Sequence, residues 1–107
     1  LAVLLVGLLV VVGCRSLPAA PEKGGKLLVY TSIYPLADFA GKIGGDHVTV
    51  TNLVSPGVEP HDFELSPRQL AEFGKANVFV YNGAGLERWA DRALQTVDSD
   101  RVLVVNS

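Results

Sequence analysis

Residues 26–45 read KLLVYTSIYPLADFAGKIGG, and the change of pattern inside this stretch decides the fold. Leu27 to Ser32 is apolar, carries the β-favouring Val29, Tyr30 and Thr31, and lies between glycines and a serine, so it predicts a buried strand. The pattern then changes. Pro35 suits a first helical turn, while Leu36, Phe39, Ala40 and Ile43 fall at i, i+3, i+4 and i+7, and Gly44 with Gly45 supplies the stop. One strand followed by one helix is half of a βαβ unit.

Working outward, the same alternation returns. HVTVTNLV, residues 47–54, predicts a second strand, alternating at Val48 and Val50 and turning apolar at Leu53 and Val54. Ser66 as a cap, Pro67 at the first helical position and Gln69 three residues after the serine form a capping-box pattern, with Leu70 and Phe73 as the buried face of the helix. NVFVYN, residues 77–82, predicts a third strand. LERWADRALQTV, residues 86–97, predicts a third helix, on which Leu86, Trp89, Ala90, Ala93, Leu94 and Val97 share a face, and RVLVVNS predicts a fourth strand. Such alternation implies an α/β fold, a mostly parallel four-stranded sheet with helices on both faces.

Upstream of residue 27 the composition differs. Leu1 to Gly13 has no charged group; this is the length of a signal-peptide h-region and short of the about 20 residues a membrane span needs. The chain contains one cysteine, so no internal disulfide can frame it. That cysteine, Cys14, directly follows VVG in a pattern that resembles the lipobox of bacterial lipoproteins, which implies a lipid on its sulfur, and RSLPAAPEKGGK after it has the composition of a tether. The expected organisation is a signal h-region over 1–13, without its n-region, a lipidated Cys14 with a flexible tether over 14–26, and an α/β lobe over 27–107. The formal net charge of −2 and the lack of a basic patch give no footing for nucleic acid or for anionic lipid, so membrane attachment would come from the lipid on Cys14.

The loop after the second strand carries the most chemistry. SPGVEPHDFELSP, residues 55–67, sets His61 among Glu59, Asp62 and Glu64 and between prolines. In open parallel sheets ligands bind beyond the carboxyl ends of the strands, and His61 leaves such an end. Imidazole suits zinc and other first-row divalent metals, and its second ring nitrogen needs a partner, for which Asp62 or Glu64 is placed; Glu59 could add a carboxylate oxygen to the metal. On the residues alone a solvated loop histidine stands beside the metal-ligand reading. His47 lies at the start of the second strand, the opposite end of the sheet, and reads as surface. NGAGLER lacks the third glycine of a dinucleotide fingerprint, since position 88 is Arg88, and its glycines read as a tight turn. Trp89 reads as core, and Glu87 with Arg88 as facing solvent or a neighbouring loop. Ser32, Tyr34 and Asp38 have no nucleophile-elbow context; Asp38 reads as an exposed helical residue and Tyr34 as a rim residue.

PGVEPHDFELSP followed by ANVFVYNGAGLERW resembles the N-terminal lobe of the zinc- and manganese-binding solute-binding lipoproteins of bacterial ABC importers. In that family a strand leads into PG-x-(D/E)-PH-x-(Y/F)-E, and a later NG-x-G-x-E-x-W opens a helix. Phe63 stands where tyrosine is common and ELSP replaces EPTP. The resemblance implies a two-lobe receptor of which this is the N-terminal lobe, truncated at its C-terminus, with His61 as the first metal ligand and the remaining ligands beyond Ser107. It implies an extracytoplasmic, lipid-anchored, non-enzymatic protein of the periplasm or cell surface that captures Zn²⁺ or Mn²⁺ as transported ligand and delivers it to an ABC permease. Two alternatives remain at this point: a secreted metal-assisted hydrolase using His61 and a carboxylate, and an adhesion or interaction lipoprotein.

Overall fold

A computed structural model of the chain describes residues 25–107. The signal, Cys14 and most of the tether therefore lie outside the described residues. Four parallel strands form one sheet in the order β2-β1-β3-β4: β1 (Leu27–Thr31), β2 (Val48–Asn52), β3 (Val78–Tyr81) and β4 (Leu103–Asn106). The helices between them are α1 (Tyr34–Gly44), α2 (Pro67–Phe73) and α3 (Arg88–Leu94). The α/β expectation holds.

This strand order separates the helices. From β1 the chain steps to β2 on one side, then returns past β1 to β3 and onward to β4, so right-handed crossovers put α1 on one face and α2 with α3 on the other. Tyr30 and Phe79 are register partners, and both join a buried cluster with Phe73 of α2 and Trp89, Ala90 and Ala93 of α3. Edge-on ring pairs knit that face, Tyr30 to Phe73 at 5.9 Å and Phe73 to Phe79 at 4.9 Å between centroids. Each such pair adds about 0.5–1.5 kcal/mol beyond the area it buries.

The α1 face is thinner. The helix forms where its pattern predicts, but of the 36-39-40-43 stripe only Leu36 and Ala40 are half-buried, while Phe39 is 61% exposed and Ile43 87% exposed. Ala37 and Gly41 line, with Val50 and Asn52, an open cleft between α1 and β2, and a Cβ at Gly41 would meet nothing within 4 Å. The close approach lies at the end of the helix, where a Cβ at Gly44 would run into the Val48 side chain.

The capping box of α2 forms as its sequence predicts, with Gln69 N–H donating to Ser66 Oγ at 3.3 Å and Ser66 N–H donating to Gln69 Oε1 at 3.0 Å. The third helix is shorter than the expected 86–97 span. At its start Glu87 turns its carboxylate back into the preceding turn, and at its end the Thr96 hydroxyl donates to the Ala93 carbonyl at 2.6 Å, a local bond that competes with helix propagation. Among the described residues no helix is long and apolar enough to cross a membrane.

Candidate functional site

Reversal of strand order beside β1 makes the gap between β1 and β3 the switch point of the sheet, where α1 and α3 depart to opposite faces. Three loops meet at this rim: Ser32 beyond β1, residues 53–66 beyond β2, and Asn82 to Glu87 beyond β3. Leu53 N–H donates to Thr31 O at 2.8 Å and Val54 N–H to Ser32 O at 3.2 Å, so the β2 ladder continues past its last strand residue before the loop departs.

A buried carboxylate fills the crevice. Glu87 is 4% exposed, and its Oε1 accepts hydrogen bonds from the Ser32 hydroxyl and from Asn82 N–H at 2.9 Å, while Oε2 accepts from Gly83 N–H at 2.9 Å. Three donors meet the cost of taking this group out of water. Of the two surroundings expected for it, Glu87 thus takes the neighbouring loop rather than solvent, while Arg88 is exposed. The turn that delivers these donors needs its glycine. Gly83 has φ +73° and its α-carbon lies where a side chain would strike Asn106. Ser32 is fully buried, with its hydroxyl bonded to Glu87.

His61 lies on the β2–α2 loop beyond the carboxyl end of β2, with its side chain 51% exposed. Its Nε2 stands 3.8 Å from Glu59 Oε1, beyond hydrogen-bond length but on the same side of the loop. Neither acid expected to orient the ring does so by hydrogen bond. Glu64 instead pairs with Arg92 at 2.7 Å, and Asp62 bonds through its backbone, its N–H donating to Glu59 O at 3.3 Å. His47 sits in the 3-10 turn before β2, at the far end of that strand from His61. Asp38 pairs with Lys42, and Tyr34 is exposed at the start of α1. Among the described residues no group of three or more His, Cys, Asp or Glu side chains comes together to hold a metal.

Trp89 is core, as expected, and it also does something the helical pattern did not reveal. Its indole N–H donates to the carbonyl of Pro60 at 3.2 Å, and the Phe63 ring meets it edge-on at 5.1 Å. The residues on either side of His61 therefore rest on α3.

An α/β lobe with a half-open histidine beyond the edge strand β2, and an NG-x-G-x-E-x-W turn opening α3 beside it, carries both motifs of the resemblance drawn from the sequence. Residues 29–107 match the family described as ZnuA, zinc-uptake complex component A, periplasmic, and the chain belongs to that family. It is 33% identical over 86 residues to the zinc-binding lipoprotein AdcA of Streptococcus pneumoniae, covering 80% of this chain and 17% of that protein. To the manganese-binding lipoprotein MntA of Halalkalibacterium halodurans it is 36% identical over 104 residues, covering 95% of this chain and 35% of MntA. The crystal structure of the Zn(II)-bound ZnuA-like domain of S. pneumoniae AdcA superposes with a TM-score of 0.68 at 34% identity, over 77% of this chain and 31% of that domain. The chain thus spans roughly a third or less of the proteins it matches.

Proposed function

We propose that this chain is the N-terminal lobe, over residues 27–107, of an extracytoplasmic solute-binding protein that captures Zn²⁺ or Mn²⁺ and hands it to an ABC importer, with no catalytic step of its own. Residues 1–13 serve as the export signal and 14–26 as a tether lipidated at Cys14, which holds the protein at the bacterial membrane. His61 contributes one ligand to the metal and Glu59 a carboxylate oxygen. The observation that carries this reading is the His61 imidazole, half open on the loop beyond β2 and followed by the family's second motif in order. An imidazole and at most one neighbouring carboxylate are too few for the four or more donors a divalent metal takes, so the remaining ligands come from elsewhere in the full protein.

The relatives named above include a zinc-binding and a manganese-binding protein, so both metals stay in the proposal. Calorimetric titration of the chelator-treated full protein with Zn²⁺ and with Mn²⁺ is the test. Binding of at least one metal is expected, and His61→Ala should weaken it by about tenfold or more. Binding of neither would overturn the reading. An unchanged affinity in His61→Ala would remove His61 from the site.

A further inference from the structure

We infer that Trp89 is a positioning residue for His61, fixing through the Pro60 carbonyl the backbone from which the metal-binding imidazole projects. This rests on the proposed metal-ligand role of His61. The Pro60 carbonyl belongs to the same rigid peptide plane as the His61 nitrogen and Cα, so an anchor on that oxygen orients the start of the His61 residue itself. The Trp89 indole N–H supplies the anchor at 3.2 Å. Trp89 is 2% exposed and wedged against Phe79, so it is a rigid support rather than a surface contact.

On the other side of His61 the loop is held by the same helix. Phe63 packs edge-on against the Trp89 ring, and Glu64 pairs with Arg92 one turn further along α3. That ion pair is exposed on both sides and contributes little. The start of α3 is in turn fixed to the ends of β1 and β3 by Glu87, two residues before Trp89. A chain of contacts thus runs from the sheet through Glu87 and Trp89 to the peptide preceding His61, while the His61 ring stays half open. A ligand held this way loses less freedom when metal arrives, and the gain appears as affinity.

The test is a cycle of Zn²⁺ titrations against a competing chelator, in the full protein, for wild type, Trp89→Phe, His61→Ala and the double variant, with the metal-free Tm measured for each. Trp89→Phe keeps a ring against Phe63 and Phe79 but removes the N–H donor. The expected result is a roughly tenfold loss of zinc affinity in Trp89→Phe that disappears when His61 is already alanine. A packing role alone would lower the metal-free Tm and leave the affinity of the folded protein unchanged, and that result overturns the inference. So does a tenfold loss that persists in the His61→Ala background, because Trp89 would then act through another group. If Trp89→Phe does not fold, Phe63→Leu takes its place, with an expected loss of about two- to fivefold that again requires His61; no loss overturns the inference. Failure of the wild type to bind either Zn²⁺ or Mn²⁺ is a separate outcome: it defeats the proposed function and takes the positioning role with it.

Discussion

The two faces of the sheet are covered by opposite means. On one, α2 and α3 press Phe73, Trp89, Ala90 and Ala93 onto Tyr30 and Phe79, and the interior is aromatic and deep. On the other, α1 buries no residue completely, borders an open cleft at Ala37 and Gly41, comes close to β2 where Gly44 meets Val48, and exposes Phe39 and Ile43. The difference teaches where the lobe keeps its stability and where it keeps its geometry. The thick side carries most of the burial and also braces the His61 loop, so the functional rim inherits the rigidity of the better-packed side.

Three substitutions probe that contrast, measured by denaturant unfolding of the full chain. Phe79→Ala should cost the most, about 3–5 kcal/mol, since it leaves a cavity between Phe73, Tyr81 and Trp89. A cost under about 1 kcal/mol would show that the aromatic face is not the principal core. Gly44→Ala should cost about 1–3 kcal/mol, because the new methyl meets Val48 and the helix must lift off β2; no loss would mean that α1 is not tightly seated. Ile43→Ser should lie within about 0.5 kcal/mol of wild type, as expected for an exposed side chain. A larger loss would show that the outer surface of α1 is covered in the full protein, and the contrast between the faces would shrink accordingly.

Much of this architecture was legible from the sequence because each element states its period locally. The apolar run at Leu28 to Thr31, the Ser66–Pro67–Gln69 start of α2 and the Ala90–Ala93 face of α3 all fold as their patterns imply. The seat of α1 was not legible. Phe39 and Ile43 share a helical stripe with the half-buried Leu36 and Ala40, and hydrophobicity alone ranks the whole stripe as the covered face, yet Phe39 and Ile43 are exposed. Close approach depends on the facing strand, which a single helix pattern does not contain.

At the rim the position of His61 beyond β2 follows from strand order, whereas its supports do not. A charged residue such as Glu87 is assigned to solvent by default, and only the meeting of the β1 and β3 ends supplies the donors that draw it inward. One clue was present: Ser32 closes a buried strand, and a hydroxyl there requires a partner. The indole bond to Pro60 joins residues 29 positions apart, and helical periodicity accounts for Trp89 fully without it.

The outermost strand has a practical consequence. Leu103, Val104 and Val105 are respectively 63%, 39% and 38% exposed, and among the described residues only β3 pairs with β4. A polypeptide produced over these residues by itself would present an aliphatic ribbon with one free row of amides and carbonyls, the ordinary template for self-association into stacked sheets. A lysine in place of Val104 would interrupt that ribbon and discourage aggregation in preparations meant for metal titration.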